Sequence, residues 1–287
     1  MKNGLDQVDS FVFNALRLAV SATVLLSLAL LERRRGIRPN SGVSKTQIVV
    51  YALIVSGLYQ LLFLLGVAHT TSGNTALIIA TVPMWTALLA RIFLNERLAK
   101  IAWGGLFTAL AGTVIVALQK GDVKVGDENL FGNLCVLGAA LAWSIGTVYS
   151  RPMLKSISPM QLSGFAAIIG LPLHLMFAMG RYEAGLPAFQ SLNVWLIVLY
   201  SGVLSTGLAL PMWNYGVRHA GAAHAAIIQN IVPLIAIVAA WLTRGESASV
   251  PQMFGGALIL GGLVIMRIGR HNEAKAARLL LAAAETK

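Results

Sequence analysis

The sequence contains a single cysteine, Cys135, set in an apolar run. One cysteine excludes an intrachain disulfide and offers no thiolate cluster to a metal. Carboxylates are equally scarce, 11 Asp and Glu in 287 residues, and none falls inside the long apolar runs marked out below. They lie too far from one another for a paired-carboxylate hydrolase. Only two histidines, His174 and His224, sit in apolar runs, and no pattern around them forms a metal set. No cofactor is called for. Charged residues make up 11% of the chain and hydrophobic residues 57%, against about 25% and about 45–50% in soluble domains. An ordinary soluble protein is thereby excluded. The net charge of +11 would suit a nucleic-acid partner. However, the basic residues occupy short loops between apolar runs, which is membrane topology rather than a binding face, so nucleic acid is excluded as a partner.

A membrane-crossing helix needs about 20 apolar residues. Nine segments qualify, at roughly 11–31, 46–67, 72–94, 101–118, 130–149, 159–180, 192–213, 221–243 and 250–267. The first is not a cleaved leader. It lacks a basic n-region and a small-residue cleavage site, and Arg17 interrupts it. Links such as Asn40-Ser41-Gly42 and Gly121-Asp122 are too short for a second soluble domain. Residues 268–287 form a basic tail, with an amphipathic helix expected over Ala274 to Ala284 at the membrane surface.

Lys and Arg set the orientation. With an external start, fifteen of the 22 fall on the cytoplasmic side, five outside, and Arg17 and Arg91 within segments. The expectation is a multi-pass protein of the cell (inner or plasma) membrane with a cytoplasmic C-terminus.

Most of the stretch from Gly66 to Ile115 recurs further on. Shifted by 150 positions, Gly66, Val67 and His69 fall on Gly216, Val217 and His219; Val82-Pro83 falls on Val232-Pro233; Glu96 falls on Glu246. Gly105 and Gly112 fall on Gly255 and Gly262. About 14 identities in about 50 ungapped positions, among them a proline and several glycines, indicate a diverged internal duplication. Segments 159–180 and 192–213 project back onto the first two segments, whereas 130–149 projects to before residue 1. The expectation is five helices per repeat and ten in all, the first being absent here. An odd repeat places the two copies in opposite orientations, the inverted-repeat architecture of secondary transporters. The fold class is thus all-α: a polytopic membrane helix bundle, an inverted 5+5 repeat with nine helices present. The domains are 1–118, 130–267 and the tail 268–287.

These features resemble the drug/metabolite transporter superfamily, EamA type. The resemblance rests on Ala80-Thr81-Val82-Pro83 followed by Leu94-Asn95-Glu96-Arg97-Leu98, and on Asn230-Ile231-Val232-Pro233 followed by Gly245-Glu246. Ala15-Leu16-Arg17 is similar to the family's second helix. The likeness covers essentially the whole chain. It departs at the absent first helix and at Arg244-Gly245-Glu246-Ser247, which lacks the usual basic-apolar ending.

Several residues stand at segment mid-depth. Pro83 and Pro233 each remove a backbone donor and bend their helices; a packed kink and a kink lining a pathway are both consistent with them. Gln229 and Asn230, a turn before Pro233, require partners in hydrocarbon. Interhelical bonding and substrate contact both satisfy that need, and their counterparts Ile79 and Ala80 are apolar. Tyr59, Gln60, Trp85, Trp143 with Ser144, and Tyr200 with Ser201 lie near segment centres, away from interfacial belts, and are candidates for a substrate path in a shared cavity. Arg17 and Arg91 are expected to snorkel, Arg17 having pairing with a carboxylate of the absent helix as its alternative. Glu96 and Glu246 end their helices unfavourably for an anion, so a helix N-terminus or an arginine should compensate. Gly138, Ala142, Gly146 and Ser150 mark close helix packing. His174 and His224 should hydrogen-bond neighbouring helices, and His224 aligns with Asn74.

The resemblance implies a transporter, an exporter of small metabolites such as amino acids or drugs, working by alternating access. Its partners are a small-molecule substrate and the lipid bilayer, and a homodimer is allowed. A pore or non-transporting scaffold is the alternative. A membrane enzyme would need His, Asp or Glu clustered at one depth, which the chain lacks.

Overall fold

The structure is a computed structural model in which residues 8–37, 42–96, 98–119, 123, 126–181, 191–245 and 249–285 are described. Arg97 and Glu246 of the two motifs lie outside them. Among the described residues every regular element is helical, and nine helices have the length and apolarity to cross a bilayer. They are α1 (Ser10–Arg34), α2 (Lys45–Ala68), α3 (Ser72–Leu94), α4 (Lys100–Leu118), α5 (Leu130–Met153), α6 (Pro159–Met179), α7 (Leu192–Ala220), α8 (beginning at Ala222 and ending at Arg244) and α9 (Val250–Glu285). The last differs from expectation. No separate surface helix forms, because the membrane-spanning helix continues unbroken into the tail.

The helix ends follow from short polar residues. Asp9 accepts from the Phe11 and Val12 N–H groups at 2.8 and 3.3 Å, Ser44 and Gln47 close a capping box, and Thr71 and Ser158 cap α3 and α6. Asn95 and Gly245 both end their helices in the left-handed region, at φ 54° and 67°, and stand 150 positions apart. The motif's Asn or Gly before glutamate is therefore the residue that stops the helix.

Four spans are not regular. α2 contains a π-helical turn, Leu53–Leu58, and α7 another, Ser201–Leu208; the first, shifted by 150, falls inside the second. α3 is interrupted between Ile79 and Val82. α8 is interrupted at the equivalent place by a 3-10 turn, Gln229–Ile231. Pro83 and Pro233 each stand in the first turn of the second half-helix, where the missing N–H costs least.

The chain packs as two compact units, Met1–Ala68 with Ile145–Gly221 and His69–Ser144 with Ala222–Lys287. Each unit therefore combines helices from both halves of the sequence. In the first, α1 and α6 run antiparallel: Phe11 meets Phe177 at 6.3 Å between ring centroids, while a Cβ on Gly164 would stand 3.3 Å from the Leu25 carbonyl. The pair is tied at both ends. Asp9 pairs with Arg181 at 3.6 Å, and Glu32 accepts a hydrogen bond from Ser158. Gly146 sits against Val55 and Gly170 against Ser56, close approaches that leave no room for a side chain.

In the second unit α4 and α9 pack backbone to backbone. A Cβ on Gly105 would lie 2.5 Å from the Gly262 carbonyl oxygen, and one on Gly255 would lie 2.8 Å from that of Gly112. Gly269 meets Ile101 and Ala102 at the far end. The helices are therefore antiparallel. Because Gly105 and Gly255 are repeat mates, as are Gly112 and Gly262, each glycine touches the mate of the other. Such a contact is isologous, so a pseudo-two-fold axis perpendicular to the helices relates α4 and α9. It is the inverted arrangement that the odd helix number predicts.

The neighbouring glycines Gly104 and Gly261 face open space. Gly105→Ala or Gly262→Ala should destabilise the protein by about 1–3 kcal/mol through overpacking. Gly104→Ala and Gly261→Ala should be neutral or slightly stabilising. Thermal unfolding in detergent checks this, and equal effects at adjacent positions would contradict the packing.

Candidate functional site

The candidate residues fall into two groups, one in each compact unit. In the first unit a chain of hydrogen bonds runs through the interior. His174 Nε2 lies 2.6 Å from the Ser56 carbonyl, which can only accept, so that nitrogen carries the proton and Nδ1 is the acceptor. Asn14 Nδ2 donates to Nδ1 at 3.2 Å. Asn14 Oδ1 in turn accepts from Arg17 Nη2 at 2.6 Å, and Gln60 Oε1 accepts from the same Nη2 at 3.2 Å. Asn14 and His174 are both 2% exposed. Four elements contribute: α1, the π turn of α2, the following helical segment, and α6. The π turn brings Ser56 to α6, where Gly170 admits it. A Cβ on Gly202, in the π turn of α7, would stand 2.8 Å from the Arg17 carbonyl, so α7 packs on the backbone that carries the guanidinium.

The expectation that Arg17 snorkels is corrected by this geometry. Its head turns inward because two side chains accept from it there, Asn14 one turn earlier on α1 and Gln60 on α2. His174 bonds neighbouring helices, as expected. Gln60 belongs to the cluster, and Tyr59 lies within electrostatic reach of Arg17 and stacks on Phe63 at 5.9 Å. Tyr200 does not join them. It is 63% exposed, and no hydrogen bond ties it to the cluster. Asn14, which links Arg17 to His174, escaped the sequence reading; its three-residue spacing from Arg17 is the signal that could have found it.

The second unit holds Trp85, Trp143, Gln229 and Asn230 with both helix breaks. At the first break, Thr81 Oγ1 donates to the Ile78 carbonyl at 2.6 Å and accepts from Trp85 Nε1 at 3.1 Å. The hydroxyl thus serves a carbonyl at the break and fixes the indole. Ser144, beside the half-buried Trp143, lies 2.8 Å from the Ala140 carbonyl and 3.3 Å from that of Val82. At the second break Gln229 is half-buried and Asn230 is 2% exposed. Asn230 Nδ2 finds no hydrogen-bond partner among the described residues. Glu96 accepts from the Ala222 and Ala223 N–H groups at 3.3 and 3.2 Å. A helix N-terminus therefore compensates this carboxylate and holds the start of α8 against the end of α3. No group of three His, Cys, Asp or Glu among the described residues is placed to hold a metal.

Comparison with known proteins agrees with this architecture. The EamA-like transporter family profile matches residues 1–118 and 130–268. The chain is 27% identical to the uncharacterized transporter YoaV of Bacillus subtilis, across 92% of this chain and 89% of that one. It is 25% identical to a probable terminal-alkyne amino-acid exporter of Streptantibioticus cattleyicolor, across 93% and 89%. A crystal structure at 20% identity superposes with a TM-score of 0.76 over 95% of this chain and 92% of that one, a likeness of fold.

The Thr81 hydroxyl generates a prediction. Thr81→Val should leave the Trp85 indole and one bond to Ile78 unmade, costing about 1–3 kcal/mol, whereas Thr81→Ser should keep most of the stability. Thermal unfolding of the two variants, with the Trp85→Phe background as control, reads the difference.

Proposed function

Because the chain belongs to the EamA-like transporter family, we propose that it exports small metabolites, amino acids or compounds related to them, across the cell membrane by alternating access. It is a multi-pass membrane protein and not an enzyme. The observation that carries the finer reading is the pairing of two interrupted helices, α3 and α8, in an inverted repeat. Transporters place substrate groups at such interruptions, where backbone and polar side chains are freed from helical bonding. The export reading is further supported by the exporter among the relatives.

The candidate substrate contacts are Tyr59 and Gln60 beside Arg17 and, at the helix breaks, Trp85, Trp143, Gln229 and Asn230, with Pro83 and Pro233 supporting the interruptions; Tyr200, which stands apart from the Arg17 cluster, is a candidate by its mid-span position alone. The unpaired Asn230 amide is the strongest single member. A buried donor without a partner costs free energy, and a substrate acceptor would recover it. The C-terminus lies in the cytoplasm, following the distribution of Lys and Arg. Transport is facilitated rather than proton-coupled. The described carboxylates occupy helix ends, loops or the tail of α9 beyond its apolar span, and a coupled pump commonly keeps one in mid-membrane.

Efflux of radiolabelled amino acids from cells expressing the protein tests the reading. Asn230→Leu should lower the rate about 10-fold, the order of one charged or buried hydrogen bond, with undiminished membrane insertion. In proteoliposomes an imposed pH gradient should leave the rate unchanged. Uphill accumulation driven by that gradient alone would overturn facilitated transport.

A further inference from the structure

We propose that Arg17 is the carboxylate-binding residue of the transport path, so that the substrates of this protein carry a carboxylate group. The assignment rests on the chain being a transporter. Its starting point is a charge without a counter-charge among the described residues. Arg17 lies seven residues into the membrane-length helix α1 from Ser10, about 10 Å along the helix. Both of its hydrogen bonds among the described residues leave from Nη2 and end on neutral amide oxygens, of Asn14 and Gln60. Nε is buried with no acceptor. A cation inside the membrane ordinarily pairs with an anion.

No described carboxylate is available to it. On α1 itself, Asp9 caps the helix and pairs with Arg181, and Glu32, about 22 Å away along the helix, accepts from Ser158. The elements that pack against α1, namely α6 and α7, contain no Asp or Glu, and neither does α2, which supplies Gln60. The fold does not require the arginine. Positions 14, 17 and 60 correspond across the repeat to Gly164, Ala167 and Leu210, so the second repeat builds the same helices from small or apolar residues. What the first repeat adds is a held guanidinium. Ser56, His174 and Asn14 form a chain of bonds that fixes its direction, and Gln60 fixes it from the other side. The bonds on Nη2 leave Nε and Nη1 to an incoming group. A guanidinium presenting several N–H groups in one plane matches a carboxylate in two-point geometry.

A phosphate of an anionic lipid offers related chemistry, and the test separates the two. The full chain is reconstituted in phosphatidylcholine vesicles, with and without phosphatidylglycerol. Uptake is measured for L-alanine, L-leucine, L-phenylalanine and their amides, and for the cation tetraphenylphosphonium. Wild type should carry one or more of the acids about 10-fold faster than the matching amide, the order of a charge-assisted pair. Arg17→Gln should abolish that preference, raising KM for the acid and leaving the amide unchanged. Arg17→Lys, which keeps charge but not the fork, should retain part of it. Should Arg17→Gln fail to fold, Arg17→Lys and Gln60→Leu supply the same readout. Equal rates for acid and amide in wild type, or an unchanged preference in Arg17→Gln, would overturn the assignment while leaving the transporter reading intact. Transport of tetraphenylphosphonium alone would do the same. An effect of Arg17→Gln confined to vesicles containing phosphatidylglycerol would make the residue a lipid anchor and overturn it. Absence of all uptake above empty vesicles would remove the transporter reading as well.

Discussion

In hydrocarbon every backbone N–H and C=O must find its partner within the protein. The rest of this structure depends on that constraint, because four of the nine spans break the helical pattern that would satisfy it. Two of these interruptions are met by a nearby group. Thr81 answers Ile78 at the first break of the paired helices, and Ser144 reaches Val82 beside it. The π turn of α2 sends the Ser56 carbonyl to His174. At the second break the buried Asn230 Nδ2 stays unmatched among the described residues, as do Asn129 Nδ2 and Gln161 Oε1 elsewhere.

Symmetry organises the scaffold, and departures from symmetry carry the chemistry. The glycines of α4 and α9, the left-handed helix ends at Asn95 and Gly245, the π turns and the two breaks all recur at or near a 150-residue offset. The polar interior does not recur. Arg17 and Asn14 correspond to small residues in the other copy, and Asn230 corresponds to Ala80. Two copies of one fold thus carry unlike polar groups.

The spans were legible because bilayer thickness dictates their length and composition. The inversion was legible from an odd number of helices per repeat. Which glycine touches which was not, since Gly105 meets Gly262 rather than its own mate Gly255; the repeat register shows equivalence, and only antiparallel packing turns equivalence into contact. The π turns left no trace in the pattern, because their wider register is imposed by close approaches at Gly170 and Gly202. Depth along a helix is also blind to direction around it. Tyr59 and Tyr200 both lie near mid-span, yet Tyr59 stands beside Arg17 and Tyr200 is largely exposed. Arg17 was read as snorkelling for the same reason. Its partners lie on α1, α2 and, through Asn14, α6, and no local spacing reveals that convergence.

The inverted repeat is the central claim, and cysteine cross-linking tests it most directly. In a Cys135→Ser background, the pairs Gly105→Cys with Gly262→Cys, and Gly112→Cys with Gly255→Cys, should each form a disulfide or react with a short bifunctional reagent. The pairs of repeat mates, at 105 with 255 and at 112 with 262, should not. Ready cross-linking of the mates, with none between the predicted partners, would place α4 and α9 in parallel and contradict the account.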